Sequence, residues 1–369
     1  MMKNLFKSIA LVAVLAISSF NQTQACTGLR LVAEDGGVIF GRTLEWSAFD
    51  INTRVGVVPR GYKFTGLTPD GKKGMEYTAK YGFVGLDFLD HDLYIDGMNE
   101  AGLTTAFFYH LGHAVYNTYE PANASNTISA QELNNYMLSK FATISEVKEG
   151  LKDLTVVGVI EEKLGFELPL HWMITDKSGE SIVLEYREGE LKIFENPLGI
   201  VTNAPEYDWH MTNLRNYIGL SENAHAAKVI NGVTFKPTGA GSGMLGLPGD
   251  NTPASRFVRL AAWGQTVRPT ETANETSYEL FRILDNFNLP LGPDGGEGAS
   301  GENEDGQMRS STLWTSGWNS ADMTLTFHTQ HNRRLRMIDL NKINFGKGKE
   351  IKHITVDETK EEDIKELKL

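Results

Sequence analysis

The sequence predicts an α+β chain: antiparallel sheets with helices packed on their outside. Three observations carry this. Strand-forming runs are joined by short hairpin signals, Glu34-Asp35-Gly36-Gly37, Asn99-Glu100-Ala101-Gly102, Asp176-Lys177-Ser178-Gly179 and Arg187-Glu188-Gly189-Glu190. The order is strands, helices, strands, helices, strands, not a strict alternation. No Gly-rich phosphate motif sits between a strand and a helix, which argues against a doubly wound parallel sheet.

The elements follow in order. Residues 26–34 and 38–46 form a hairpin about Asp35-Gly36, which returns Arg42 and Glu45 toward Cys26. Residues 51–70 read as a further strand and a turn closed by Pro69-Asp70-Gly71. Leu93–Ile95 and Leu103–Tyr109 are strands. Ser129-Ala-Gln-Glu132 and Thr143-Ile-Ser-Glu146 are capping boxes ahead of apolar residues at helical spacing. Strands return at 154–160, 170–175, 181–186 and 190–195. Helices are expected at 207–218, 254–264 and 277–287, then strands at 312–317, 322–329 and 334–340. Residues 355–369 are charged and suit a surface helix or tail.

Residues 1–25 have the layout of a secretory signal: Lys3 and Lys7, an apolar run from Ile9 to Ile17, then Ser18, Ser19 and Ala25. Cutting after Ala25 leaves 344 of the 369 residues. It takes the formal charge from −12 to −14, because the leader holds two lysines and no acid. An acidic chain argues against nucleic acid and anionic membrane surfaces as partners. With 41% hydrophobic and 10% aromatic residues, the remainder can bury a large core. No Pro- or Ser-rich linker divides residues 26–369, so one domain is expected. No second apolar stretch reaches the roughly 18 residues of a membrane span.

Several motifs point to flexible or solvated segments rather than ligand sites. Gly239-Ala-Gly-Ser-Gly243 lacks the ending of a P-loop and reads as a flexible loop. Gly292 to Gly306 is acidic and Gly-rich but lacks EF-hand spacing. His110-Leu-Gly-His113 and His328-Thr-Gln-His331 have no acid at metal spacing, so neither a metal nor a cofactor is expected. No serine sits in a nucleophile elbow.

Cleavage after Ala25 would make Cys26, the one cysteine of the chain, its N-terminus. Such a residue holds a nucleophile and a base together. An α-amine titrates near 7.7–8.0 and can take the thiol proton, then return it to a leaving amine. Attack on an amide gives an oxyanion, a thioester and then hydrolysis. The oxyanion needs preset donors, and a nearby guanidinium such as Arg42 favours the thiolate. Three other readings compete: a buried apolar cysteine, an ordinary surface arginine at position 42, and a lipoprotein anchor that binds an apolar ligand without turnover. A lipid-attachment box wants an apolar residue three before the cysteine, where this chain has Thr23, and Thr27–Val32 already looks like strand.

Six blocks carry a resemblance: CTGLRL at 26–31, FGRTLEW at 40–46, DGMNEAGL at 96–103, NPLGIVTNAPEYDWHMTNLRNYIGL at 196–220, GLPGDNTPASRFVR at 246–259 and NFNLPLG at 286–292. In this order they resemble the choloylglycine hydrolase family of N-terminal nucleophile hydrolases, which includes bile salt hydrolases and penicillin V acylases. The resemblance implies a four-layer αββα sandwich. It implies that Cys26 is the nucleophile, with Arg42 against the thiol. Glu45 falls where the family has Asp to hold the amine. Asn203 matches the oxyanion asparagine and Arg256 the second arginine. Tyr109 would supply its backbone N–H, standing where bile salt hydrolases commonly have Asn and penicillin V acylases Tyr. A leader before the cysteine is similar to the exported, Gram-negative arm, so a periplasmic or secreted protein is expected. A homo-oligomer is expected, the tetramer being common in the family. Bile salts are the first expected substrate, ahead of penicillin V or an acyl-homoserine lactone. Phe83, Leu86, Phe88 and Phe108 are candidate acyl-pocket residues, with core packing as their other reading.

Overall fold

The computed structural model describes residues 26–47, 51–290, 310–346, 348 and 350–368. The leader and the stretch at 292–306 lie outside them. Two large antiparallel sheets face one another. The first runs in the order Ile200–Val201, Thr27–Val32, Val38–Ser47, Ser310–Asn319, Thr324–Thr329, Arg336–Asp339. The second runs Glu190–Glu195, Ser181–Arg187, Leu170–Thr175, Thr104–Tyr109, His91–Asn99, Phe83–Phe88, Arg54–Val58, Lys352–Thr355. Helices Pro253–Thr266 and Ala273–Leu284 cover the first sheet, and Leu133–Lys140 covers the second. This is the expected αββα sandwich.

Local chemistry explains the layers. Thr252 caps the helix Pro253–Thr266 by accepting from Ser255 N, and Pro253 opens it, where a missing N–H costs nothing. Thr272 caps Ala273–Leu284 in the same way through Glu275 N. That helix lies on a cross-strand glycine pair, Gly41 and Gly317. A Cβ on Gly41 would come within 2.4 Å of Leu280 Cδ2, so the close approach needs glycine there. Between the sheets lies a core including Leu44, Trp46, Phe88, Phe108 and Trp318. Burying each such side chain contributes about 1.5–3 kcal/mol. Asp96 of the second sheet crosses this core to accept from Ser316 Oγ of the first at 2.5 Å.

The structure corrects several expectations. Residues 154–160 are not one strand. Thr155–Val157 pairs in parallel with Thr127–Ser129, because the helices Leu133–Lys140 and Ile144–Gly150 supply the crossover that parallel pairing needs. The helix expected at 277–287 begins at Ala273. That at 207–218 is helical only over Tyr207–Asn213, then tightens to a 3-10 turn over Leu214–Tyr217. The glycines at 239–243 are not an open loop. Ala240–Met244 is a 3-10 turn, and a Cβ on Gly243 would meet Asn223 O at 2.1 Å. No helix forms over the described residues after 355, and Lys352–Thr355 becomes an edge strand.

Burial raises the Asp96 carboxyl to about 6, against the weaker opposing pull of Arg42 and its hydrogen bonds. The folded state therefore holds this proton more tightly than the unfolded chain does. Its contribution to stability falls as pH rises from about 4 to about 6. The Asp96→Asn variant should lose less unfolding free energy than the parent between those pH values, by on the order of 2 kcal/mol, and so show a smaller fall in Tm. Thermal unfolding followed by circular dichroism measures it, and parallel curves for the two proteins would contradict the burial argument.

Candidate active site

Cys26 sits at the start of the strand Thr27–Val32, at the edge of the inter-sheet core, and is buried in the 369-residue chain. Its nitrogen is a peptide N–H here and occupies the place of the α-amine of a cleaved chain. That nitrogen donates to Asn203 Oδ1 at 2.9 Å. Asn203 reaches it because the short strand Ile200–Val201 pairs with Gly28 and Leu29. Asn203 Oδ1 also accepts from Arg256 Nη2 at 2.6 Å. Arg256, in the first turn of its helix, further donates through Nη1 to the Cys26 carbonyl and, at 2.9 Å, to Thr27 Oγ1.

Arg42 is opposite Gly28 in the hairpin register, on the face toward the second sheet. Its Nη1 donates to Phe107 O at 2.5 Å, and its guanidinium lies 4.5 Å over the Phe108 ring. Its Nη2 is buried with no hydrogen-bond partner among the described residues. Gly28 makes room here: a Cβ would stand 2.6 Å from Phe108 Cζ. Burial pushes the Cys26 thiol up. Arg42 opposes this most, ahead of Arg256, while the Glu45 charge adds to the rise. The thiol faces the Glu45 carbonyl at 3.8 Å.

The Glu45 carboxyl points to the other face of the sheet. There Thr312 donates to Oε1 at 2.9 Å, and Oε2 has no partner among the described residues. Burial raises this acid to about 7, against the pull of Arg256 first, then Thr43, Thr312 and Arg42. The Cys26 nitrogen bonds to Asn203 and not to this carboxyl.

Residues 26–361 match the family described as linear amide C–N hydrolases, choloylglycine hydrolase family. The chain belongs to the choloylglycine hydrolase family. It is 34% identical over 333 residues to a bile salt hydrolase/transferase of Clostridium perfringens, covering 89% of this chain and 95% of that one. It is 34% identical over 264 residues to a conjugated bile acid hydrolase of Lactobacillus gasseri, 70% and 80% of the two chains. It is 26% identical over 329 residues to a penicillin V acylase of Pectobacterium atrosepticum, 83% and 78%. A crystal structure of a conjugated bile acid hydrolase from Clostridium perfringens superposes with a TM-score of 0.78 at 30% identity, covering 93% of this chain and all of that one. This amide hydrolase therefore has the N-terminal nucleophile fold.

An amide hydrolase also needs donors for the oxyanion of a tetrahedral intermediate. Asn203 Nδ2 donates one hydrogen to Tyr109 O at 2.8 Å, which leaves its second hydrogen. His110 N donates to Pro169 O, so the alternation of an antiparallel ladder turns the Tyr109 N–H away from that strand. It points to the side where Tyr109 O meets Asn203, beyond the last pair with the neighbouring strand, Asp96–Ala106. Six residues remote in sequence thus share one neighbourhood: Cys26, Arg42, Glu45, Tyr109, Asn203 and Arg256.

The four candidate pocket residues divide. Phe88 packs edge-on to Trp46 at 5.2 Å, Trp46 packs on Tyr109 at 6.0 Å, and Leu86 joins the same core. Phe108 lies under Arg42. Phe83 belongs to a separate small cluster with Val58, Tyr94 and Leu138, because alternation turns it to the helix-covered face of the sheet. Trp46 and Thr312 are neighbours that sequence reasoning passed over. Trp46 ends the FGRTLEW block and could have been found there, but Thr312 carries no local signal.

The histidine pairs find acids that their own sequence neighbourhood lacks. His113 Nδ1 meets Glu206 at 2.8 Å, and His328 lies 3.7 Å from Asp285. His110, His171 and Glu185 bring three ligand atoms within 4.8 Å of one another. The His110 and His171 rings, however, are stacked at 4.3 Å and 7°. A ring nitrogen binds an ion in its own ring plane, and two parallel planes do not meet at one ion.

The single cysteine allows a clean titration. Substituting Arg42→Gln should move the thiolate transition, followed by absorbance at 240 nm, upward by about 1–3 pH units. An unmoved transition would remove Arg42 from the thiol's electrostatics.

Proposed function

We propose that this choloylglycine hydrolase is exported, that its leader is removed after Ala25, and that Cys26 then cleaves conjugated bile salts at the amide. The observation that carries the reading is the ring of polar groups around one residue: Asn203 Oδ1 accepting from its nitrogen, Arg256 donating to its carbonyl and the Arg42 charge acting on its thiol. The freed α-amine takes the thiol proton, and sulfur adds to the amide carbon. The oxyanion is held by Tyr109 N–H and Asn203 Nδ2. The C–N bond breaks as the protonated α-amine returns its proton to the departing glycine or taurine. Water, deprotonated by the same amine, then hydrolyses the thioester. Glu45, three residues beyond Arg42, would balance the charge of the protonated amine.

Bile salts as the acyl donor rest on the bile salt hydrolase relatives at 34% identity. The apolar residues Leu86, Phe88 and Trp46 beside Tyr109 suit such an acyl group. Tyr109 favours penicillin V as a second reading, with an acyl-homoserine lactone behind it. Among the described residues no helix is long and apolar enough to cross a membrane. Self-association is part of the proposal, because the hairpin Lys228–Ile230 and Val233–Phe235 exposes Val229, Ile230, Val233 and Phe235.

Mature protein should release amine from glycocholate or taurocholate faster than from penicillin V or a long-chain acyl-homoserine lactone. The reverse ranking would replace the substrate assignment. Cys26→Ala should abolish turnover while preserving the far-UV circular dichroism spectrum. A chain that keeps residues 1–25 should also be silent, because its Cys26 nitrogen remains an amide. Diacylglycerol on Cys26, detected by intact mass, would instead support the lipoprotein reading.

A further inference from the structure

Behind Asn203, away from Cys26, lies a buried polar cluster that the mechanism above does not use. His171, on the strand Leu170–Thr175, directs Nε2 at the Thr202 carbonyl at 3.0 Å. A carbonyl only accepts, so Nε2 carries a proton. On the other side of the ring, Nδ1 faces Glu185 Oε1 at 3.4 Å. Glu185 also accepts from Tyr207 N at 2.9 Å and from Arg187 Nε at 2.8 Å. Burial would raise this acid, but its hydrogen bonds from His171 first, then Arg187, hold it at about 2. It is therefore an ionised carboxylate that accepts only. A neutral His171 bonded to Thr202 would turn a lone pair toward that carboxylate. Both contacts are satisfied only when both ring nitrogens are protonated.

We propose that His171 is a buried imidazolium that acts as a positioning residue, holding the Thr202–Asn203 segment so that the Asn203 amide meets the oxyanion. The proposal rests on the reading of Asn203 as an oxyanion donor. The segment is pinned from three sides: Thr202 O by His171, Asn203 O by His210 Nε2 at 2.9 Å, and Thr202 Oγ1 by Pro253 O at 3.0 Å. Of these only His171 brings a formal charge from below. His210 is held neutral, lowered to about 4 by burial. His110, stacked on His171, is lowered to about 2 by burial and then by His171 itself. Phe108 meets the His171 ring edge-on at 6.0 Å, and no other charged group than Glu185 bonds to the ring among the described residues. The three rings thus comprise one cation and two neutral imidazoles, set against a carboxylate that also pairs with Arg187. Among the rings the positive charge is confined to His171, between Glu185 and Thr202.

Two substitutions separate the two ends of the strut. His171→Gln places an amide nitrogen near the former Nε2 and retains the donor to Thr202 O. His171→Asn places its amide near the former Nδ1 and retains only the Glu185 side. With glycocholate as probe, His171→Gln should stay within about threefold of the parent kcat. His171→Asn should lose about 10- to 100-fold in kcat with KM nearly unchanged, as expected for a displaced transition-state donor. Thermal unfolding of the two variants should agree within a few degrees. Independently of any substrate, nitrogen-15 spectra of histidine-labelled Cys26→Ala protein at pH 7 should show one histidine, lost in His171→Gln, with both ring nitrogens protonated. A neutral His171 overturns the proposal, as do equal losses in both variants or full kcat in His171→Asn. If the parent does not cleave glycocholate, the substrate reading falls, and the spectra still decide the charge of His171.

Discussion

The site depends on one acceptor, the side-chain oxygen of Asn203. It takes the Cys26 nitrogen at 2.9 Å and the Arg256 guanidinium at 2.6 Å. Two donors on one amide oxygen leave no choice of orientation. The amide nitrogen must face the other way, where the Tyr109 carbonyl receives it at 2.8 Å. In the proposed reaction, the group that holds the Cys26 nitrogen is therefore also the group that would present a donor to the reacting carbonyl. Loss of these donors would free the amide to turn, and the hold on the Cys26 nitrogen and the direction of the Asn203 Nδ2 donor would be lost together.

Around this point the protein keeps charges close and separates them by the sheet. Arg42 lies on the inner face, beside the thiol and over Phe108. Glu45 and Arg256 occupy the helix side. Strand alternation makes this division possible within four residues of one strand. Burial disfavours the thiol as an anion, the Arg42 charge opposes this, and one guanidinium nitrogen of Arg42 has no hydrogen-bond partner among the described residues. That arrangement suits a sulfur that becomes charged only as the reaction begins, since fixed cations act strongly where water is excluded.

The sandwich supplies the rigidity these contacts need. Gly41 with Gly317, and Gly28 beneath Phe108, let the helix and the second sheet approach the first sheet closely. The strand that carries Cys26 is paired on both sides, by Val38–Ser47 and by Ile200–Val201. Asp96 and Ser316 tie the two sheets through their common core.

Much of the fold was legible in local sequence. The hairpin of Cys26 and Arg42, the capping residues Ser129 and Thr143, and most strand positions follow from period-two patterning and turn chemistry, which act over a few residues. The family resemblance added Asn203 and Arg256 within its blocks and Tyr109 outside them. The edge strand Lys352–Thr355 and the parallel pair of Thr155–Val157 with Thr127–Ser129 did not show, because pairing partners lie far away and leave no local period. The same reason hid the acids of the histidines, Glu185 and Glu206, and the separation of Phe83 from Phe88. Sequence by itself determined which residue types could do amide chemistry and that Cys26 would begin a strand. Only the tertiary structure decided which face each side chain took, which oxygen met the Cys26 nitrogen, and which imidazole stood behind Asn203, since hydrogen bonds and burial are settled by neighbours in space rather than along the chain.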